Sequence, residues 1–537
     1  MRVLSSIKLL LSGILILALF QLNAQVGQRI EFPVGGKDLE SFTIPIGNQG
    51  VIILNQLGKQ EFSIQKFSTN LQQVWYTSGT IDNGLDYVNH SFDGKSLNLL
   101  FSRFKSNSYQ VIRVNIVKGT FEKFQIYSVD RMEISNFKAL NESLFIAGIV
   151  NNQPVILFTN LKERKTRILP SVVKGQAEIQ SMDLDSIQQQ INVTYSVGNR
   201  AKNYQLVIKS FDEDGVQIGQ IVMDPNEEFA MMNAKSTQLN DSLQVIVGTY
   251  GHKTTIGSSK GPSSQGIYFN SYLDGELIQS KFHSFTKFSN FFNFLTPKQK
   301  EKQEKKIKNK ESKGEDLRLD YRLLIHEIIK KGDHYIVVAE AFYPDYKYNN
   351  FGPYGSMMGL GGFYSPWTMM YNPYRWGYGY YGLYSPYSSY YSPWGYRGFN
   401  SYGSQQQFDG WVYTHAVIVE LDEKGDLLWD HCIAMKDLKE PKLIQKIKTS
   451  LQGDEIVLSF NIDNQIITKK IGNQGRSETE SIQNISTDND ADKIRRSSKS
   501  ELNYWFGPYY LANGYQTISN EEGRRSVYYL NKIEIQK

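Results

Sequence analysis

Cysteine is almost absent. Cys432 stands alone in 537 residues, so no intramolecular disulfide forms and small disulfide-stapled scaffolds are excluded. A dominant charge is also lacking: 59 Lys and Arg against 54 Asp and Glu leave a formal +5, too little over this length to argue for a nucleic-acid partner. After the first two dozen residues no run approaches the roughly 18 apolar residues of a membrane-spanning helix. There is no Gly-rich phosphate loop with Lys and Ser/Thr, no His-Glu-x-x-His and no nucleophile elbow.

The residues that come nearest to such chemistry read as structure. His326-Glu327 lacks a second histidine four positions on and reads as a strand pair. His415 and His431 sit on the two arms of one hairpin, with no further ligands at metal-binding spacing. Asp488-Asn489-Asp490-Ala491-Asp492 opens like a calcium loop. Lys493 then stands where the sharp-turn glycine belongs and no Glu follows at the twelfth position, so the stretch reads as a polar linker. Cys432 follows a strand pattern and reads as core. No catalytic residue, metal ligand or cofactor is assigned.

What is present begins with a targeting signal. Arg2 and Lys8 flank an apolar run from Leu9 to Phe20, and Ala24 offers a small residue for cleavage. Residues 1–24 read as a secretory signal peptide, and residues 25–537 as the exported chain, periplasmic, outer-membrane associated or extracellular. No cysteine near the cleavage point offers a site for lipid.

The exported part is organised around Ala416–Ala434, AVIVELDEKGDLLWDHCIA. Val417, Val419 and Leu421 alternate at period two, Asp422-Glu423-Lys424-Gly425 forms a tight turn, and Leu427 and Trp429 resume an apolar face. Looser copies of this hairpin recur. Their turns fall at Phe67–Asn70, Val117–Gly119, Asn160–Glu163, Asp212–Gly215, Leu273–Gly275, Gly425 and Gly472–Gly475. The spacing is about 50 residues, with one gap of about 150 before Gly425. An apolar strand precedes most of the hairpins, as in Ser96–Phe101, Ser143–Ile149, Ser242–Val247, His334–Ala339 and Glu455–Phe460, and a weaker strand precedes each of those. Four short antiparallel strands in about 50 residues is the period of a β-propeller blade. The expected fold is therefore all-β, a propeller of seven or eight four-stranded blades. The final unit, around Asn520–Gly523, lacks an outer strand, and Arg29–Val34 has the apolar character to supply it, which would remove two exposed sheet edges.

Two insertions break the period. Residues 286–318 carry a dense mixed-charge block whose Lys and Glu recur every three or four residues, a pattern that supports a solvated helix or linker; a basic patch for an anionic surface is the other reading. Residues 342–405 form an aromatic, low-complexity loop. Tyrosine supplies 16 of residues 342–402, joined by Trp367, Trp376 and Trp394, with almost no charge, so any contact it makes rests on rings. A short motif repeats within it: Tyr364-Ser365-Pro366-Trp367, Tyr371-Asn372-Pro373-Tyr374, Tyr384-Ser385-Pro386-Tyr387 and Tyr391-Ser392-Pro393-Trp394. Proline fixes its own φ and extends the residue before it, so each motif presents rings on a rigid turn. Tyr364, Trp367, Tyr371, Tyr374, Trp376, Tyr384, Tyr387, Tyr391 and Trp394 are the candidate binding residues. The stretch Tyr504–Tyr510, YWFGPYY, is expected to pack against the same loop.

The turn-plus-tryptophan pattern Leu421–Trp429 resembles that of quinoprotein-like and Asp-box blades, without the Thr-Gly of the former or the Ser before Asp of the latter. Taken with a signal ending Asn23-Ala24-Gln25, the chain resembles secreted β-propeller repeat proteins of Bacteroidetes-type bacteria. That resemblance implies a fold and a compartment and carries no functional residues. Two functions stay open. One is a non-enzymatic exported scaffold that binds a protein, peptide or glycan at the cell envelope through the aromatic loop. The other is a propeller hydrolase or lyase acting on glycans from a channel-mouth site. Both leave nucleic acid and a transmembrane span out of the exported chain.

Overall fold

The computed structural model describes residues 29–34, 39–103, 106–151, 153–170, 177–198, 204–223, 228–240, 242–255, 263–348, 406–441, 443–472, 475 and 478–535. The signal segment and the nine candidate aromatic residues lie outside these. The described chain divides into two compact units. The first holds residues 1–58, 62–78 and 446–537, and the second holds 59–61 and 79–445.

Among the described residues the strands form seven antiparallel sheets, six of them built from four or five strands. The remaining sheet has seven strands and divides naturally in two. Its 20-residue strand Phe121–Leu140 pairs through Phe121–Tyr127 with Ser108–Val114, and through Glu133–Leu140 with Ser143–Ile149. Each half thus serves one four-stranded meander. The fold class is all-β, and these are the sheets of a β-propeller.

Burial explains the strand types. The second strand of a unit is covered on both faces; Gln190–Val197 is buried at all eight positions, its polar Gln190, Asn192, Thr194 and Ser196 included. Outer strands alternate instead, as Gln73–Thr80 does. A strand covered on both faces carries few charged side chains, whereas an edge strand needs one apolar face.

The repeat is visible at atomic level in the turns. In the 212–216 and 422–426 turns the aspartate Oδ1 accepts from two backbone N–H groups, at 3.0 and 2.8 Å from Asp214 and Val216, and at 2.9 and 2.7 Å from Lys424 and Asp426. Gly215 and Gly425 take positive φ, at 70° and 72°. Each lies against a phenylalanine on the third strand of the preceding unit: a Cβ on Gly215 would stand 2.7 Å from the Phe158 ring, and one on Gly425 only 2.2 Å from the Phe269 ring. The organising hairpin is therefore also an inter-blade joint. His283 Nε2 donates to the Gly425 carbonyl at 2.7 Å and Gln279 Nε2 to that of Lys424 at 2.6 Å, clamping the turn from the same neighbour.

In the first unit Arg29–Pro33 pairs with the last strand in the register Arg29↔Asn531 to Pro33↔Val527. Arg29–Val34 thus supplies the missing outer strand, as its apolar character leads one to expect. Within Tyr504–Tyr510, Trp505 and Tyr510 are buried, and Trp505 Nε1 donates to the Gly50 carbonyl at 2.7 Å; the loop this stretch is expected to pack against lies outside the described residues. Asp488–Asp492 is the polar linker expected, lying between strands Glu478–Asn484 and Lys493–Phe506, and its Asp492 shares the Arg525 guanidinium with Glu31.

The 286–318 insertion is only partly a solvated linker. Helix α1 (Pro297–Glu311) forms as the Lys/Glu spacing suggests, started by Pro297 and by Gln299, whose Oε1 accepts from the Thr296 N–H at 3.1 Å. The stretch before it packs inward: Phe285, Phe288, Phe291 and Phe292 are buried, together with Ile307 of the helix. Asp430 holds this stretch by accepting from the N–H groups of Ser289 and Asn290 at 2.8 and 2.7 Å.

Candidate functional site

The aromatic insertion is mounted on a paired stem. Strand His334–Tyr348 and strand Gln406–Leu421 pair from Phe342↔Tyr413 out to Tyr348↔Gln406, with one register shift between Asp345 and Tyr346. Residues 342–348 are therefore strand and not loop, which moves the start of the insertion to 349. A third strand, Leu427–Glu440, follows along one side, pairing Trp411 with Glu440 and Tyr413 with Leu438. Trp411 is buried edge-on against Phe342, with ring centroids 5.5 Å apart. Tyr413 is buried, and its hydroxyl donates to the Ile444 carbonyl at 2.5 Å while accepting from the Ile444 N–H at 2.9 Å. Lys439 bonds Asp345 at 2.7 Å and also Asp409, tying both arms together. Rings, a shared ammonium and a third strand give the stem a rigidity that the composition of 349–405 does not require. Tyr364, Trp367, Tyr371, Tyr374, Trp376, Tyr384, Tyr387, Tyr391 and Trp394 fall beyond the stem, outside the described residues.

A second grouping was not foreseen from the sequence. The first strands of successive units bring charged side chains together. Lys235 Nζ bonds both oxygens of Asp183, at 2.8 and 3.0 Å. Burial opposes the Asp183 charge, but Lys235 and then Lys138 outweigh it and hold the carboxyl below its ordinary range. Lys138 is pushed below the usual lysine value, by burial first and then by Lys235, against the attraction of Asp183. His90 lies on the next first strand. Burial and then Lys138 lower it to about 4, and its Nδ1 meets the Tyr87 hydroxyl at 2.7 Å. The sequence signal was a titratable residue recurring in the first strand of successive units, legible only once the repeats are aligned. The cluster offers one carboxylate, already bound by an ammonium. The common glycoside-hydrolase mechanism uses a pair of carboxylates.

Histidines that read as strand residues have specific partners. His326 Nε2 and the buried Glu340 carboxylate are 2.9 Å apart. His415 is buried, stacked on Phe294 with centroids 3.8 Å apart and edge-on to Phe291 and Tyr321. Its Nδ1 lies 2.9 Å from the Thr414 hydroxyl, and burial lowers it to about 3. Cys432 is buried. Among the described residues no group of three or more His, Cys, Asp or Glu could hold a metal ion, and no helix is long and apolar enough to cross a membrane.

No family model and no curated protein matches this chain. Solved structures do. The β-propeller domain of the Trilobed protease from Pyrococcus furiosus aligns at TM-score 0.34 and 5% identity, covering 84% of this chain and 96% of that one. A prolyl endopeptidase aligns at 0.38 and 6%, over 84% of this chain and 50% of the enzyme. An apocarotenoid oxygenase from Synechocystis aligns at 0.29 and 7%, over 47% and 66%.

Proposed function

We propose that the protein is an exported, non-enzymatic β-propeller scaffold, of the kind secreted by Bacteroidetes-type bacteria, that binds a protein, peptide or glycan at the cell envelope through its aromatic insertion. The observation that carries this reading is the stem. These two strands run on toward the Tyr/Trp-rich sequence, braced by a third strand as far as Trp411 and continuing as a pair to Tyr348↔Gln406. Tyr and Trp supply large contact area at low entropic cost, and ring stacking adds about 0.5–1.5 kcal/mol per pair beyond burial. Nearly uncharged, the segment binds by apolar contact and keeps its hold at high salt.

The test replaces Trp367, Trp376 and Trp394 by Ala singly and together and measures retention of the exported chain on isolated cell envelopes. Graded loss with unchanged melting supports the reading, and full retention of the triple variant overturns it. The hydrolase or lyase reading draws less support, because the charged cluster of Lys138, Asp183 and Lys235 lacks a second carboxylate.

A further inference from the structure

Helix α1 concentrates the positive charge of the molecule. Its fifteen residues, PKQKEKQEKKIKNKE, hold seven lysines against three glutamates, a formal +4 beside a whole-chain +5. The interleaved glutamates suggest a neutral solvated face, but each is matched by a paired lysine, which leaves the remaining lysines uncompensated. Glu301 pairs with Lys305 at 2.7 Å, Glu304 with Lys300 at 4.0 Å, and Glu311 with Lys287, which lies outside the helix. Lys310 pairs with Glu315 at 2.5 Å. Lys298, Lys302, Lys306 and Lys308 take part in no ion pair among the described residues, and all four are exposed.

Helical geometry then arranges them. At 3.6 residues per turn, Lys298 and Lys302 fall on the side opposite Ile307, with Lys306 and Lys308 on the two flanks. Ile307 is buried in the cluster that holds Phe291 and Phe292, so the helix is fixed to its unit by one side and presents the other. From Lys298 to Lys308 the rise is roughly 15 Å, long enough to meet several headgroups at once.

We propose that this face of helix α1 docks the protein electrostatically on an anionic lipid bilayer surface. Three observations select that occupant. The face has lysines and no arginine, hence point charges without the bidentate fork that a discrete phosphate site favours. It has no aromatic side chain, so it lacks the stacking platforms of single-stranded nucleic-acid and sugar sites. Its one large apolar residue points inward, so the helix lies on headgroups without inserting. The contact is separate from the aromatic insertion and has the opposite salt response.

The experiment uses the exported chain and large vesicles, either wholly zwitterionic or carrying about a third anionic phospholipid, in low and high salt. The expected result is cosedimentation with anionic vesicles at low salt only, because screening shortens the reach of exposed charges. Replacing Lys298, Lys302, Lys306 and Lys308 together by Gln should weaken partitioning at least roughly tenfold, since each lysine near an anionic surface contributes measurably. A control variant removes four exposed lysines elsewhere, Lys59, Lys95, Lys118 and Lys330, lowers the net charge equally, and should bind as the parent does. Equal loss in both variants would reduce the effect to net charge and overturn the proposal. So would full binding by the helix variant, or binding of the parent to a soluble anionic polysaccharide but not to vesicles. Because the aromatic segment is intact in every variant, failure here leaves the proposed function standing.

Discussion

Arg29 donates from Nη1 to Oδ1 of Asn531 at 2.9 Å, joining residues 502 positions apart in the chain. The same guanidinium reaches Gln516 Oε1 at 2.8 Å, the Ser486 carbonyl at 3.0 Å and Glu31 Oε1 at 2.8 Å, and lies over the Tyr529 ring at 4.8 Å. Its side chain is fully buried. One arginine thus seals the strand that completes the last sheet.

Arg29→Ala should therefore cost about 3–5 kcal/mol, the range for removing one partner of a buried charged network. Arg29→Lys should recover only part of this, because an ammonium cannot reproduce the planar fork. Urea unfolding of the three proteins measures the difference. Deleting residues 25–34 should do more, leaving strand Gly523–Glu534 as an open edge and raising aggregation; light scattering after mild heating reads that directly.

Gly425→Ala should destabilise by roughly 2–4 kcal/mol, combining left-handed backbone strain with overpacking against Phe269. A Cβ there would sit 2.2 Å from the ring. Pairing the change with Phe269→Leu should return part of the loss. That non-additivity, read from the four melting curves of a double-mutant cycle, is what an inter-blade joint predicts.

Stability should fall as pH drops below neutrality, well before most carboxylates titrate. Burial holds His90 near 4 and His415 near 3, against an ordinary value of 6.5. Both are neutral in the fold, whereas the unfolded chain takes up protons from 6.5 downward. Their contribution is thus full above 6.5 and is lost as pH falls toward the folded values, with roughly 3 kcal/mol or more at stake per histidine. His415→Leu keeps an apolar group of similar size and should flatten the slope of melting temperature between pH 6.5 and 4. An unchanged slope would mean that His415 protonates freely in the fold.

The fold was legible because its determinants are local and repeated. A buried second strand such as Ser143–Val150 is rich in apolar residues, and a turn such as 422–426 must place glycine where φ is positive. Closure was legible from Arg29–Val34 because an orphan strand at one end matched a missing one at the other. What the sequence concealed depends on contacts between repeats. The Gly425–Phe269 joint, the Lys235–Asp183 pair and the Asp430 clasp on Ser289 and Asn290 unite residues that local periodicity treats as independent. The phenylalanines of 285–292 resembled linker only because the charged helix follows them. The stem was misjudged for a related reason: Phe342–Tyr348 shares the aromatic composition of the insertion, and only pairing with Gln406–Tyr413 marks it as strand.

The central claim is that the blades form a self-sufficient mount and that binding resides in the aromatic insertion. Tyr348 and Gln406 are paired neighbours, so a short Gly/Ser turn can replace residues 349–405 at modest closure entropy. The decisive measurement compares this variant with the parent on isolated cell envelopes at high salt, beside a melting curve of each. The account predicts the same cooperative unfolding for both and retention only for the parent. Equal retention of the shortened protein, or its failure to fold, would contradict it.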